Sequence, residues 1–216
     1  MSGFVIAVDG PAASGKGTIA SRLAAEYGLP FLDTGLLYRA VGVAVLDAGG
    51  EPADPKAAEA AARGLELSML DSERLGDRGA GEAASQAAAH PGVRAVLRQL
   101  QKDFAAQEPG AVLDGRDIGT VIAPEAPAKL FVTATAEVRA ERRWRQLTGK
   151  GERLTFDEML EDIRRRDARD AGRADAPMVM APDAELLDTT EMTIEQATDA
   201  ARRIVEAARA RWEQSR

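Results

Sequence analysis

The sequence predicts an α/β fold in which a central parallel β-sheet is flanked by helices. Residues 4–9 form a short apolar, β-branched run, which indicates a strand buried on both faces. A loop of Gly, Ser and Pro follows over 10–15, and apolar residues then recur at helical spacing over 16–27. Short apolar runs alternate with helical stretches again in the second half of the chain. A repeated strand–helix order of this kind is typical of a parallel sheet.

The later elements are predicted in the same way. Apolar runs indicate strands over 111–114, 129–133 and 185–188, and another strand precedes Asp33. Helices are predicted over about 136–147, 156–170 and 193–214, and the last two begin with the capping-box patterns Thr-x-x-Glu and Thr-x-x-Gln.

The middle of the chain is less regular. Helices are predicted over 51–63 and 82–107, with Pro91 at a break or in a first turn, and a short strand over 65–70. Gly76, Gly79 and Gly81 are expected to interrupt regular structure nearby. The chain is therefore expected to be one domain, residues 1–216. Its core is expected to be 1–63 and 96–216, with a smaller mobile subdomain inserted over about 64–95.

Composition excludes several classes of protein. The 216 residues contain no cysteine and one histidine, so disulfide scaffolds, thiolate zinc sites and most Ser-His-Asp triads are excluded. The formal charge of −7 disfavours binding to nucleic acid through bulk charge. No apolar run approaches the roughly 20 residues of a membrane span, and no signal peptide is evident. We expect a cytoplasmic monomer that binds neither nucleic acid nor membrane.

The loop after the first strand matches the phosphate-binding pattern G-x-x-x-x-G-K and opens a helix, as that motif requires. Glycines let backbone N–H groups surround phosphate oxygens, and the helix dipole adds to the attraction. Lys16 supplies a point charge for the β- and γ-phosphates of a nucleoside triphosphate. The residues expected to bind that triphosphate, which the resemblance described below implies is ATP, are Gly10, Pro11, Ala12, Ala13, Ser14, Gly15, Lys16, Gly17 and Thr18.

Two features suggest a magnesium ion and a second anionic substrate. Asp114 ends an apolar run, where a carboxylate can hold water on Mg²⁺, and the Thr18 hydroxyl is the other expected contact, also through water. Residues 139–173 contain ten Arg and one Lys against eight acidic residues. Within them, Arg139 and Arg143 share one helix face. With Arg166 they are expected to neutralise phosphate charge, which on the resemblance described below is that of the transferred phosphoryl group. Arg142 and Arg145 are expected to face solvent.

Five segments, in this order, resemble bacterial cytidylate kinases of the nucleoside monophosphate kinase family. They are GPAASGKGT, LDTGLLYR, AASQAAAHPGVR, DGRDIGT and RDARDAGRADAP, and the resemblance extends from residue 4 to about 190. It implies a P-loop NTPase fold with an inserted NMP-binding subdomain and a short lid at about 145–156. It also implies transfer of the γ-phosphoryl group of ATP, with Mg²⁺, to CMP or dCMP.

The resemblance also implies roles for individual acceptor-site residues. Arg39 and Arg116 would hold the CMP phosphate, and Thr34 stands where the family has a hydroxyl near the nucleotide. Ser85, Arg94 and Asp117 match the positions that recognise cytosine, whose exocyclic amine donates where uracil accepts. The residues expected beside the phosphates and the sugar are Arg166, Arg173 and Asp170.

The sequence departs from the family pattern at one point. Members often carry Ile/Leu-Arg-Thr before the Ala-Ala-Ser helix, whereas this chain has Leu75, Gly76 and Asp77, and Arg78 is the candidate substitute for the arginine. Two alternatives stay open. One is another small P-loop kinase, acting on UMP, AMP or a small metabolite. The other is a nucleotide-binding module without turnover, which the second set of arginines disfavours. The preference between CMP and dCMP is also open.

Overall fold

The computed structural model describes residues 3–66, 69–70 and 73–215. A sheet of five parallel strands has the order β2-β3-β1-β4-β5, which confirms the predicted fold class. Its strands are β1 (Phe4–Asp9), β2 (Phe31–Asp33), β3 (Gly110–Gly115), β4 (Ala128–Thr133) and β5 (Glu185–Asp188). The register places Asp33 of β2 and Val8 of β1 on either side of Asp114 of β3. The carboxyl ends of the three strands therefore meet at one edge, where α/β proteins bind their ligands.

Helices cover both faces of this sheet. They are α1 (Lys16–Tyr27), α2 (Thr34–Asp47), α3 (Pro55–Arg63), α4 (Arg78–Ala87), α5 (Pro91–Ala105), α6 (Ala136–Gly149), α7 (Phe156–Ala171) and α8 (Ile194–Gln214), with a 3₁₀ helix (Glu73–Gly76) and a π-helix (Ile118–Ile122). The capping boxes predicted at Thr155 and Thr193 both form, and Pro91 opens α5. Within the described residues, every helix is too short or too polar to span a membrane.

Alternate residues of β1 enter two different cores, which explains its continuous apolar run. Val5 packs in the cluster formed with α2, α3 and α5, whereas Ile6 packs in the cluster formed with α1 and α8. A third, smaller cluster joins α6 and α7 to Ala12 of the phosphate loop. The loop is thus held from both sides by packed apolar side chains.

The region before α4 differs from the sequence-based expectation. The strand predicted over 65–70 lies partly outside the described residues, and Met69 and Leu70 form 3₁₀ structure instead. Gly79 and Gly81 lie inside α4 and do not interrupt it, so that prediction was wrong. The helix is held by packing: a Cβ built on Gly42 of α2 would lie 2.7 Å from the Cβ of Ala83 in α4. This close contact between helix backbones stabilises α4 and offsets the cost of its two glycines.

Candidate active site

The phosphate loop connects β1 to α1 in the predicted context. Gly10 and Gly15 have φ angles of 145° and 90°, which favour glycine. A Cβ on Gly10 would lie 2.0 Å from the carbonyl oxygen of Val132, so no other residue fits there without moving β4. The loop ends where α1 begins, and the free N–H groups of that helix provide a site for an anion.

Two cavities meet at Lys16. One, of about 500 Å³, is lined by the phosphate loop and by residues near the start of α8. The other, of about 370 Å³, lies between α2, α4, α6 and α7. Lys16, Asp33 and Asp114 line both cavities. A group passing from a ligand in one cavity to a ligand in the other would cross at these three side chains.

The charges at this boundary are buried and coupled. The Nζ atom of Lys16 lies 3.3 Å from a carboxylate oxygen of Asp114. Burial lowers the pKa of Lys16, and the neighbouring Arg116 lowers it further. Burial also raises the pKa of Asp114, while Lys16 opposes that rise. The pair is therefore poised to exchange partners when a polyphosphate brings its own negative charge.

The same boundary supplies oxygen atoms of the kind that Mg²⁺ prefers. Thr18, Asp33 and Asp114 line the larger cavity, and all three present hard oxygen donors. Among the described residues, no group of three acidic, His or Cys side chains is arranged to hold a metal alone. The donor set fits an ion bound chiefly by phosphate oxygens and water, with the protein contributing outer contacts.

The second cavity is strongly cationic. Arg39, Arg116, Arg143 and Arg166 line it, so the structure brings together four of the predicted arginines. Burial lowers the pKa of Arg166 to about 9, with Arg116 adding to the effect. Within the part of the chain that the structure describes, its buried Nε atom has no hydrogen-bond partner. Burial, aided by Arg39, lowers the pKa of Arg143 to about 10. Buried cations that disfavour one another create a strong site for an anion.

A third, narrow pocket of about 40 Å³ gathers eight predicted substrate residues. They are Thr34, Ser85, Arg94, Arg116, Asp117, Arg166, Asp170 and Arg173. Arg116 and Arg166 join this pocket to the cationic cavity, and Arg39 lines only the latter. Tyr38, which the sequence reasoning did not single out, also lines the pocket, with the guanidinium of Arg94 5.8 Å from its ring centroid.

Polar groups in the third pocket are placed where they can form hydrogen bonds with a small ligand. Nη2 of Arg94 donates to Asp117 at 2.6 Å, and both side chains are buried. Burial raises the pKa of Asp117, whereas Arg94 and Arg173 oppose the rise. Among the residues that the structure describes, the buried Ser85 hydroxyl has no hydrogen-bond partner. A carboxylate and an unpaired hydroxyl can both accept a hydrogen bond from an amine of a ligand.

Asp170 pairs with two arginines at the other end of this pocket. Nε of Arg116 donates to Asp170 at 3.0 Å, and Arg173 donates to its second oxygen. Burial alone would raise the pKa of Asp170, but Arg116 and Arg173 outweigh it and hold the pKa below its usual value. The Thr34 hydroxyl donates to the carbonyl oxygen of Asp114 at 2.7 Å. Strand β3 and helix α2 are thereby joined beside the pocket.

Two arginines of α6 are placed differently from the expectation. Arg139 does not line either cavity: its guanidinium forms a two-point ion pair with Asp167 and donates to the carbonyl oxygen of Ala12. This geometry supports an indirect role through the phosphate loop rather than contact with phosphate. Arg142, expected in solvent, lines the larger cavity and donates to Thr189. Arg145 is exposed, as expected, and pairs with Glu141.

Asp9 is a buried acidic residue that the sequence reasoning missed. Its carboxylate accepts hydrogen bonds from the backbone N–H groups of Ile118 and Gly119, at 2.8 and 2.7 Å. Burial raises its pKa to about 7, despite these two hydrogen bonds. Asp9 thus connects the start of the phosphate loop to the turn after Asp117. The available signal was an acidic residue directly before the glycine-rich loop.

Comparison with known proteins identifies the family of this chain. The sequence model of the cytidylate kinase family matches residues 6–207. Proteins named cytidylate kinase from Caulobacter sp. (strain K31) and Xanthobacter autotrophicus (strain ATCC BAA-1158 / Py2) are 71% and 63% identical, over 97% and 96% of this chain and 97% and 99% of their own lengths. Another from Caulobacter vibrioides (strain NA1000 / CB15N) is 72% identical over 97% of this chain and 98% of its own.

A solved structure supports the fold independently. The crystal structure of an uncharacterized protein from Eubacterium ventriosum ATCC 27560 aligns with a TM-score of 0.55 at 14% identity. The alignment covers 94% of this chain and 98% of that one, so the two share an architecture. The family match spans nearly the whole sequence and the relatives are far more than 30% identical. The chain therefore belongs to the cytidylate kinase family.

Proposed function

We propose that the protein transfers the γ-phosphoryl group of ATP to CMP and dCMP, giving CDP and dCDP. One observation carries the proposal: the cavity at the phosphate loop opens at Lys16 onto an arginine-lined cavity, which leads to a pocket containing Asp117, Arg94 and Ser85. This arrangement offers a triphosphate site, a monophosphate site and a base-reading site in one continuous cleft. The names of the similar proteins point to the same reaction.

In this proposal the residues act mainly by position and charge. The loop from Gly10 to Thr18 holds ATP, and Arg39 and Arg116 hold the phosphate of CMP. An oxygen of that phosphate attacks the γ-phosphorus in line. Lys16, Arg143 and Arg166 offset the charge that spreads over the transferred group. No general base is required, because the attacking phosphate is already ionised.

Mg²⁺ accompanies ATP in this scheme. Thr18 and Asp114 would hold it through water, and Asp33, which lines both cavities, would offer a further oxygen. When bound, the ion would offset negative charge on the phosphate oxygens of ATP. The protein's own contribution is to keep the Asp114 carboxylate 3.3 Å from Nζ of Lys16, at the boundary between the two cavities.

The third pocket, which contains Ser85, Arg94 and Asp117 and which we call the acceptor pocket, accounts for the choice of base and sugar. Asp117 and Ser85 accept from the cytosine amine, and Arg94 fixes the carboxylate. Uracil presents an oxygen at that place, which donates no hydrogen bond to Asp117 and is repelled by its carboxylate. This disfavours UMP. Arg173 lies by the phosphates, and the ionised Asp170 faces the sugar.

The remaining expectations complete the proposal. Residues about 64–95 and the lid at about 145–156 are the parts that move, and their closure excludes water from the transferred group. Arg139 supports the phosphate loop through Ala12 and Asp167. The protein acts as a cytoplasmic monomer on small molecules, without nucleic acid or membrane.

The proposal is tested by replacing Lys16. Lys16→Ala should lower kcat for ATP and CMP by about 100- to 1000-fold, since it removes a preorganised charge from the transferred group. Lys56→Ala is the matched control, because Lys56 is exposed on α3 and the change in charge is the same. Activity is followed as CDP formation, and the fold by thermal unfolding. A folded Lys16→Ala protein with wild-type turnover would contradict the assigned role.

A further inference from the structure

Residues 74–78 cross the cleft between its two sides. The carbonyl oxygen of Leu75 accepts a hydrogen bond from Arg39, which belongs to α2. The carbonyl oxygen of Gly76 accepts from Nη2 of Arg143, which belongs to α6, at 2.9 Å. We call residues 74–78 the crossing segment. Its backbone thus contacts phosphate-site arginines that come from opposite walls of the cavity.

The end of the crossing segment is attached to the lid side of the cleft. Nε of Arg78 donates to Asp162 of α7 at 2.6 Å, and this hydrogen bond is the main reason that the pKa of Arg78 lies above its usual value. The backbone N–H of Arg78 donates to Glu152 at 3.1 Å, just beyond α6. Asp77, at the N-cap of α4, makes no side-chain capping bond, so Glu152 provides the carboxylate there instead.

Helix α4 continues from this attachment to the acceptor pocket. It begins at Arg78 and carries Ser85, which lines that pocket. Gly42 of α2 packs against its backbone, so the helix has little freedom to slide. A Cβ on Gly76 would lie 2.6 Å from Nζ of Lys150, so a glycine there leaves room for the lid tip. The departure from the family pattern at Gly76 therefore coincides with the place where the lid tip approaches the crossing segment.

We infer that Arg78, together with Glu152, is a positioning residue that couples the lid to the acceptor pocket through α4. The inference rests on the proposed function. A nucleotide that draws the lid over the phosphate loop also fixes the start of α4, and so places Ser85 for CMP. Occupancy of the ATP site then strengthens CMP binding, and thermodynamic linkage requires the reverse effect to be equal.

Calorimetric titration of CMP tests the coupling, with and without saturating Mg²⁺ and adenylyl imidodiphosphate. In the wild type the analogue should tighten CMP binding about fivefold, at the lower end of usual coupling, because Arg78 and Asp162 are partly exposed. We call the CMP affinity with the analogue divided by the CMP affinity without it the coupling ratio. Arg78→Met should bring this ratio close to one, while the affinity for the analogue in the absence of CMP stays unchanged. Arg78→Lys keeps the cation and should restore part of the ratio.

Two further variants keep the test decisive. Glu152→Ala removes the cap of α4 from the lid side and should also lower the ratio. Arg74→Met is the matched control, because Arg74 lies in the same segment but pairs with the exposed Asp47 of α2 and does not cross the cleft. Wild-type coupling in both Arg78→Met and Glu152→Ala, or no coupling in the wild type, would overturn the inference. A wild type that fails to phosphorylate CMP would instead refute the proposed function on which the inference rests.

Discussion

Replacing Asp117 separates its contribution to stability from the role in base selection that we propose for it. Asp117→Ala removes the only carboxylate within hydrogen-bond distance of the buried Arg94 among the described residues. Asp117→Asn keeps the shape and one acceptor oxygen but adds an NH₂ group that can donate. We expect the alanine variant to lose stability and selectivity together, and the asparagine variant to lose mainly selectivity.

The size of each effect follows from the pair's surroundings. Breaking a buried ion pair by removing one partner costs about 3–5 kcal/mol. Here the cost is reduced, because Asp175 lies 3.8 Å from Nε of Arg94 and Tyr38 faces the guanidinium. We therefore expect Asp117→Ala to lose about 2–3 kcal/mol, a fall in Tm of about 4–12 °C for a chain of this length. A mismatched buried acceptor costs about 1–3 kcal/mol, so the ratio of kcat/KM for CMP over UMP should fall about 5- to 150-fold.

Both quantities are measured on the same preparations. Steady-state rates with CMP and UMP give the selectivity ratio, and thermal unfolding gives the change in Tm. Asp117→Asn should show the lowered ratio with a smaller change in Tm. An unchanged CMP-to-UMP ratio in both variants would refute the assignment of Asp117 to the base. An unchanged Tm in Asp117→Ala would refute the energetic argument about Arg94.

Two further predictions follow from packing and titration. Gly42→Ala should cost about 1–3 kcal/mol and raise KM for CMP, since its Cβ would press on Ala83 and displace α4. Gly79→Ala meets no neighbouring atom, so it should leave KM for CMP unchanged and should stabilise the protein slightly, by up to about 1 kcal/mol. The raised pKa of Asp9 means that the folded state holds its proton up to a higher pH than the unfolded chain does. The free energy of unfolding of the wild type, relative to that of Asp9→Asn, should therefore decrease from about pH 4 to about pH 7. Urea unfolding of both proteins at several pH values measures this difference, and a difference that stays constant or increases would contradict the prediction.

Local patterns were sufficient to predict most of the fold. The continuous apolar run of β1 reflects burial on both faces, and the two capping boxes fix the starts of α7 and α8. The start of α4 was harder to predict, because its two glycines suggest a break, whereas the close approach of Gly42 to Ala83 holds the helix in place. A contact between residues that are far apart in the chain leaves no local periodicity to detect.

In the candidate site, too, local motifs were predictable from the sequence, whereas contacts between residues distant in the chain were not. The motif residues of the acceptor pocket do converge, since the ends of parallel strands meet at one edge. The orientation of the α6 arginines could not be predicted, because Arg139 is turned by its partner Asp167 and Arg142 by Thr189, both distant in sequence. Burial of Asp9 was missed for a related reason: its partners are backbone N–H groups, which carry no residue identity.

The most direct test of the central claim is a comparison of acceptors by the wild-type protein. ATP·Mg²⁺ is supplied with CMP, dCMP, UMP, AMP or GMP in parallel, and ADP and the diphosphate product are both measured. The account predicts strong turnover with CMP and dCMP and much weaker turnover with the other three. Preferred turnover of UMP, AMP or GMP, or ADP formation that no monophosphate stimulates, would contradict it.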